Sequence, residues 1–423
     1  MVSGPSPAPT YRALFAIPGL RPLAGNFLLG RMGEAMWSLA LILFVLQRFH
    51  SPALAGLVTF LAWMPGLLLS PLGGVLIDRF GRVRMIALDL GVAVLCALAI
   101  AVLTATGSLT VANLLTVVGV SSITGPLAWV GTRSLIPLVV PSQLWERGNA
   151  LDAVTANVAT IAGPALAGLL FATVGGLATL LVIAAVWIVA GLFVLGLRDV
   201  APGDLPSAPS ASGNVLRDAA GALRYVLGNR ILWALAVLLP LCNAAEGGFQ
   251  VALPVLFRSF PYGGSAITGA VWSLFGVAAA AGALAGGRMA TAGRERRIIS
   301  QTLAACALAY GVVATAALLT SQTQPLLPLL PVAVGMLAAG LCVGVHDIAM
   351  FSLRQRSIDP GWLGRAMSVS MSLNAVGLPV GTALAGPIVQ ASLPLAMLLA
   401  AGLVGVAALL CPLLLPPAVR TRA

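Results

Sequence analysis

Twelve apolar runs recur along this chain, each about 20 residues or longer, the length of helix that crosses a hydrocarbon core about 30 Å thick. They fall at roughly 22–47, 54–77, 85–106, 110–131, 150–173 and 177–197, then at 230–256, 266–287, 299–320, 326–351, 366–390 and 394–416. The expected fold class is therefore an all-α membrane protein of about 12 transmembrane helices. Gly and Pro inside the runs do not oppose this, because membrane helices tolerate both. The fourth run holds a candidate break at Gly125-Pro126.

The chain has 423 residues, of which 59% are hydrophobic and 8% charged. Soluble domains carry about 25% charge, so a water-facing surface cannot be assembled from this sequence. The net charge of +11 resembles a nucleic-acid footprint until the charges are located. All 23 basic residues are arginine, and they sit at the ends of apolar runs rather than in a basic soluble domain, so no nucleic-acid partner is expected. Twenty share the side that holds both termini; Arg48 and Arg258 lie opposite, and Arg31 lies within a run. The positive-inside rule then makes both termini cytoplasmic. The lysine-free, Ala-, Gly- and Arg-rich composition points to a GC-rich bacterial genome, hence to a multi-pass protein of the inner (cell) membrane. No cleavable signal peptide is expected, since the first run is about 25 residues long and lacks an A-x-A site. Cys96, Cys242, Cys306, Cys342 and Cys411 lie inside apolar runs without a C-x-x-C pair, and read as buried free thiols.

A polar stretch rich in Pro, Ser, Ala and Gly divides the runs into two sets of six. This gives a bundle over 1–197, a cytoplasmic linker over 198–229 with a short interfacial helix around 215–227, and a bundle over 230–423. The halves repeat. A shift of 212 positions carries Glu34 onto Glu246, Gly81-Arg82 onto Gly293-Arg294 and Arg84 onto Arg296. A shift of 218 carries Arg147 onto Arg365, and Ala165-Leu166-Ala167-Gly168 onto Ala383-Leu384-Ala385-Gly386. Six runs per half start both repeats on one side, the parallel arrangement of secondary transporters that rock about a midplane site.

Between the second and third runs the chain reads Gly74-Val75-Leu76-Ile77-Asp78-Arg79-Phe80-Gly81-Arg82-Val83-Arg84. This resembles the G-x-x-x-D-R-x-G-R-R/K signature loop of the major facilitator superfamily. It matches at Gly74, Asp78, Arg79, Gly81 and Arg82, and departs at Val83, with the next basic residue delayed to Arg84. The resemblance implies two pseudo-symmetric six-helix bundles. It also implies a conformational latch in which Asp78 meets the start of the eleventh helix, a negative charge facing a helix N-terminus; otherwise Asp78 and its arginines are topology anchors. In the fifth run, Gly163-Pro164-Ala165-Leu166-Ala167-Gly168 resembles the G-P-x-x-G-G core of the drug exporters' antiporter motif, with Ala167 replacing the first glycine of the final pair. Gly163 and Gly168 allow close helix contact and Pro164 allows a bend. The fourth-helix arginine of many proton-coupled exporters is missing, since no arginine lies between Arg84 and Arg133. The pattern looks closer to the macrolide- and siderophore-efflux branches.

Ionic groups within a bilayer core cost several kcal/mol and mark function. Arg31 and Glu34 share a face of the first run, three residues apart. Glu246 occupies the repeat-equivalent position in the seventh, and His346 and Asp347 lie in the tenth. The resemblance places the first, fourth, seventh and tenth helices around the cavity. Glu34 is one proton-carrier candidate; if Arg31 pairs with it, the two form a structural ion pair and Glu246 becomes the better carrier. Asp89 and Asp152 sit nearer the cytoplasmic ends, within reach of interfacial water. His346-Asp347 is either a second titrating site or a hydrogen-bonded cap. Met36, Trp37, Trp129, Asn243, Phe249 and Gln250 either line the cavity or pack.

Only two histidines, His50 and His346, occur, and no zinc-protease motif, nucleophile elbow or Walker A loop appears, so no enzyme, ATP-driven pump, metal or cofactor is expected. The reading is a monomeric secondary transporter in the lipid bilayer, a multidrug-resistance type antiporter exchanging protons for a hydrophobic or amphipathic small-molecule substrate. The alternatives are an importer or facilitator of an anionic metabolite using Arg31, and a lipid flippase.

Overall fold

A computed structural model describes residues 11–141, 144–197, 215–258, 260, 263–289, 293–319 and 327–416. The described residues form α1 (Tyr11–Phe15), α2 (Leu20–Phe49), α3 (Pro52–Phe80), α4 (Arg82–Ala105), α5 (Val111–Val139), α6 (Trp145–Leu195) and α7 (Val215–Gly228). They continue as α8 (Arg230–Phe257), α9 (Gly264–Gly287), α10 (Glu295–Thr315), α11 (Leu329–Arg356), α12 (Leu363–Ala375), α13 (Gly377–Ala391) and α14 (Leu393–Leu414). Among the described residues, ten helical segments are long and apolar enough to cross a bilayer. One of them, in α6, holds two spans: Gly175 takes φ 81 and ψ 171, a backbone open to glycine alone, and breaks a 51-residue helix where the fifth and sixth runs meet. The fourth span is α5, which continues past Gly125 to Val139 instead of breaking there. The eleventh is interrupted at Val376, between α12 and α13.

Caps fix several ends. Thr110 accepts from Asn113 N before α5, Asn229 accepts from Ile231 N and Leu232 N before α8, and Ser392 accepts from Leu395 N before α14. Gly81, at φ 93, turns the chain between α3 and α4. Leu68, Leu195, Leu308 and Leu409 are each at least 70% exposed. A water-soluble surface would not carry them; lipid would.

By compactness the chain divides into two units. One contains Met1–Trp37, Leu68–Gly163 and Leu180–Ser207; the other contains Ser38–Leu67, Pro164–Thr179 and Ala208–Ala423. In the first, Trp187 on α6 lies against Gly33, its Nε1 donates to Gly30 O at 3.4 Å, and its ring tilts against Trp37 at 5.5 Å. In the second, Phe249 on α8 stacks on Tyr310 on α10 at 4.7 Å, within a core that includes Met336 and Met397. Lipid gives little hydrophobic drive between helices, so contact area must come from close backbone approach at small residues. Gly282, Gly340 and Gly344 bring α9 and α11 together, as Gly247, Gly377 and Gly381 do for α8 and α13.

Two further crossings in this unit join helices of the two sequence halves. Gly56 on α3 meets Gly386 on α13, where a Cβ added to Gly56 would sit 3.1 Å from Gly386 Cα. Gly168 on α6 meets Gly269 on α9, where a Cβ added to Gly168 would sit 3.1 Å from Gly269 Cα. The helix ends beside the first crossing also approach, with Ser51 Oγ donating to Gln390 Oε1 at 3.5 Å.

Candidate functional site

Two charged clusters lie within candidate spans, one in each unit. In the first, Arg31 projects from α2. Its Nη2 lies 2.5 Å from Asp152 Oδ1, and its Nη1 donates to Asp152 O at 2.7 Å and to Thr155 Oγ1 at 3.1 Å. Both partners belong to α6, and the Arg31 and Asp152 side chains are each 14% exposed. The Phe27 ring lies 5.3 Å from the guanidinium carbon, one turn earlier on α2. Of the two alternatives the sequence left for Arg31, a direct ion pair with Glu34 is not formed; the guanidinium bonds to Asp152 and acts on Glu34 only through space. Asp152 offers both a carboxylate and a carbonyl, a better fit to the guanidinium fork than the single carboxylate one turn along.

Glu34 is left with no hydrogen bond or ion pair among the described residues. It is ringed by protein atoms yet retains accessible surface, as a group facing an enclosed space does. Asp89 on α4 lies within its electrostatic reach and is hydrogen-bonded to Thr124 on α5. Gly163 on α6 packs against Ala35, where an added Cβ would come 2.5 Å from the alanine Cβ. The first glycine of the fifth-helix motif thus holds the backbone beside Glu34. Gly168, five residues on, serves the crossing with Gly269 instead.

In the second unit, Cys242, Asn243, Glu246 and Gln250 lie on α8, and His346, Asp347 and Arg354 on α11. Glu246 and Asp347 are within electrostatic reach of each other. His346 is 4% exposed, and its Nε2 lies 3.3 Å from Asp347 Oδ1, while the Asp347 side chain is 64% exposed. The pair is thus a buried ring beneath an open carboxylate rather than a capped loop end. Asn243 donates to Asn374 O at 2.9 Å and to Asn374 Oδ1 at 2.8 Å, tying α8 to α12. Gln250 Oε1 is buried without a hydrogen-bond partner. Trp37, Met36 and Phe249 are packed core residues, and no group of His, Cys, Asp and Glu able to hold a metal occurs among the described residues. All five cysteines are free thiols.

The side chains of Gly74, Asp78 and Trp129 lie outside the described residues. Arg79 lies over the Phe80 ring at 5.4 Å, and Arg82 opens α4. Sequence reasoning missed Asp89, Asn374 and Arg354 as members of the clusters. Arg354, one of the twenty arginines on the side of the termini, lies in the last turn of α11, 3% exposed. Its spacing of seven from Asp347 could have found it.

The Major Facilitator Superfamily model matches residues 23–382. An uncharacterised transporter of that type from Sinorhizobium fredii, y4rN, is 35% identical over 411 residues, covering 96% of this chain and 97% of the relative. The multidrug efflux pump Tap of Mycobacterium tuberculosis is 27% identical over 379 residues, covering 86% and 85%. The crystal structure of the nucleoside transporter NupG superposes with a TM-score of 0.74 at 14% identity, covering 94% of this chain and 98% of that one. With a family match that covers most of its spans, this chain is a multi-pass membrane transporter and belongs to the major facilitator superfamily.

Proposed function

We propose that the protein is a proton-coupled exporter of hydrophobic or amphipathic small molecules, working by alternating access between two six-helix bundles with both termini in the cytoplasm. One observation carries the reading. The Arg31 guanidinium bonds to Asp152, so Glu34 has no hydrogen bond or ion pair of its own among the described residues and feels Arg31 only through space, while keeping accessible surface. Such a carboxylate can take up and release a proton as its surroundings open to one side and then the other. A cavity with few charges suits an apolar substrate, and the similarity to Tap supports the outward direction. The same commitment of Arg31 speaks against the anionic-metabolite importer, which would need that guanidinium free.

Under this reading the Gly56–Gly386 and Gly168–Gly269 crossings close the ends of their helices that the arginine distribution places outside. The latch at Asp78 and Arg79 serves the opposite ends. The test uses proteoliposomes with a trapped pH dye and an imposed ethidium gradient. Wild-type protein exchanges protons for ethidium, a protonophore abolishes ethidium accumulation against its gradient, and Glu34→Gln removes the proton movement. Unchanged proton movement in Glu34→Gln rules Glu34 out as the carrier. Accumulation only in right-side-out vesicles rules out export, and transfer of headgroup-labelled lipid without ethidium movement favours a flippase.

A further inference from the structure

Arg354 is the least explained charge in the second unit. It is 3% exposed, and its Nε and Nη2 are buried without a hydrogen-bond partner. A buried guanidinium in that condition is costly, so an acceptor is expected in another state of the protein. Its neighbour Arg356 is satisfied, with Nη1 lying 2.5 Å from Glu295 Oε1 on α10. Glu295 is therefore already engaged.

The carboxylate best placed to serve is Asp347. Seven residues bring two helical side chains back to within about 20° of the same face, separated by about 10.5 Å of axial rise. Helical side chains lean toward the N-terminus, which carries the long Arg354 chain toward Asp347. The two groups are in electrostatic contact. In this structure the Asp347 carboxylate instead faces His346 Nε2 at 3.3 Å, with 64% of its side chain open.

We propose that Asp347 has two alternative counter-groups, His346 in the described state and Arg354 in the state reached when Asp347 has given up its proton, so that Arg354 is a positioning residue for proton release. This rests on the exporter reading for its role in the cycle, but the pairing itself does not. The only bond broken is the carboxyl O–H. The proton leaves to water through the open face of Asp347, and the guanidinium keeps all its own protons. The other titratable groups facing this carboxylate are Glu246 and Cys242 on α8 and Cys306 and Tyr310 on α10. None of these is a cation, and among the described residues Arg354 is the arginine whose charge reaches Asp347.

The experiment is a double-mutant cycle on the full chain: wild type, Arg354→Gln, Asp347→Asn and the double variant, with Arg354→Lys added. Ethidium-driven proton release in proteoliposomes is followed across pH, and thermal midpoints of the same proteins are measured in detergent. Arg354→Gln is expected to slow release about tenfold or more and to move the pH profile. Arg354→Lys should restore both, and the double variant should be no worse than the poorer single one. The thermal midpoints should be non-additive in the same sense, a readout that needs no transport. Absent proton release in wild type would refute the exporter reading while leaving the thermal cycle to judge the pair. An unmoved pH profile in Arg354→Gln, or additive midpoints, overturns the pairing. If Arg354→Gln does not fold, restored folding on adding Asp347→Asn supports the pair, and failure to restore it counts against the pair.

Discussion

The Gly168–Gly269 crossing should be the most sensitive place to bias the protein between states. In Gly168→Ala the new methyl would lie 3.1 Å from Gly269 Cα and closer still to Ser265 O. The acceptor is backbone and cannot rotate away, so α6 and α9 must part by about 1 Å to restore ordinary contact. Overpacking of this kind costs about 1–3 kcal/mol. The penalty falls only on the state in which the crossing is closed, so the balance moves by about 5- to 150-fold toward the state in which those ends are apart. Spin labels at Ser51→Cys and Gln390→Cys, side chains that touch at 3.5 Å, report the other crossing at the same end. Pulsed-EPR distances between them should gain a longer component in Gly168→Ala and keep the parental distribution in Gly402→Ala, where an added Cβ meets nothing within 4 Å. An identical distribution in both variants would refute the idea that glycine contact sets this closure.

Arg31→Gln takes the guanidinium fork away from the partly buried Asp152 carboxylate and should destabilise the first unit by about 3 kcal/mol; a fall of several degrees in thermal midpoint, partly recovered on adding Asp152→Asn, checks it. Tyr225→Phe removes the hydroxyl that donates to Asp359 Oδ2 at 3.1 Å and accepts from Asp359 N at 3.0 Å. The loss is about 1 kcal/mol per bond, and faster amide exchange confined to α7 and the segment before α12 should result. Gly81→Ala forces a side chain into φ 93 and should cost about 1–3 kcal/mol, read as a lower thermal midpoint than Gly91→Ala, whose position is open.

The spans were legible because lipid leaves the backbone one way to satisfy its hydrogen bonds locally, so long apolar runs become helices wherever they occur. Even the boundary inside α6 follows this logic, since Gly175 lies between two runs and alone permits the turn. Partner choice was not legible. Arg31 and Glu34 share a helix face, and that spacing alone left open whether they pair or Glu34 carries a proton. The guanidinium instead chose Asp152, 121 positions away, because only three-dimensional packing brings a carboxylate and a carbonyl to one fork. Arg354 misled for the opposite reason. Near a helix end an arginine reads as a topology anchor, and burial by neighbouring helices cannot be seen in its own segment.

The repeat explains why closure at one end takes the form it does. The 212-position offset of the repeat carries Gly56 onto Thr268, the residue before Gly269, and the 218-position offset carries Gly168 onto Gly386. The contacts are Gly56 with Gly386 and Gly168 with Gly269, so the two crossings correspond under the internal repeat to within one residue. Both crossings lie in the second compact unit, so a motion that parts one by about 1 Å is expected to part the other and forfeit its short-range dispersion as well. A substitution at Gly56 should thus act on the Gly168–Gly269 contact nearly as strongly as on its own.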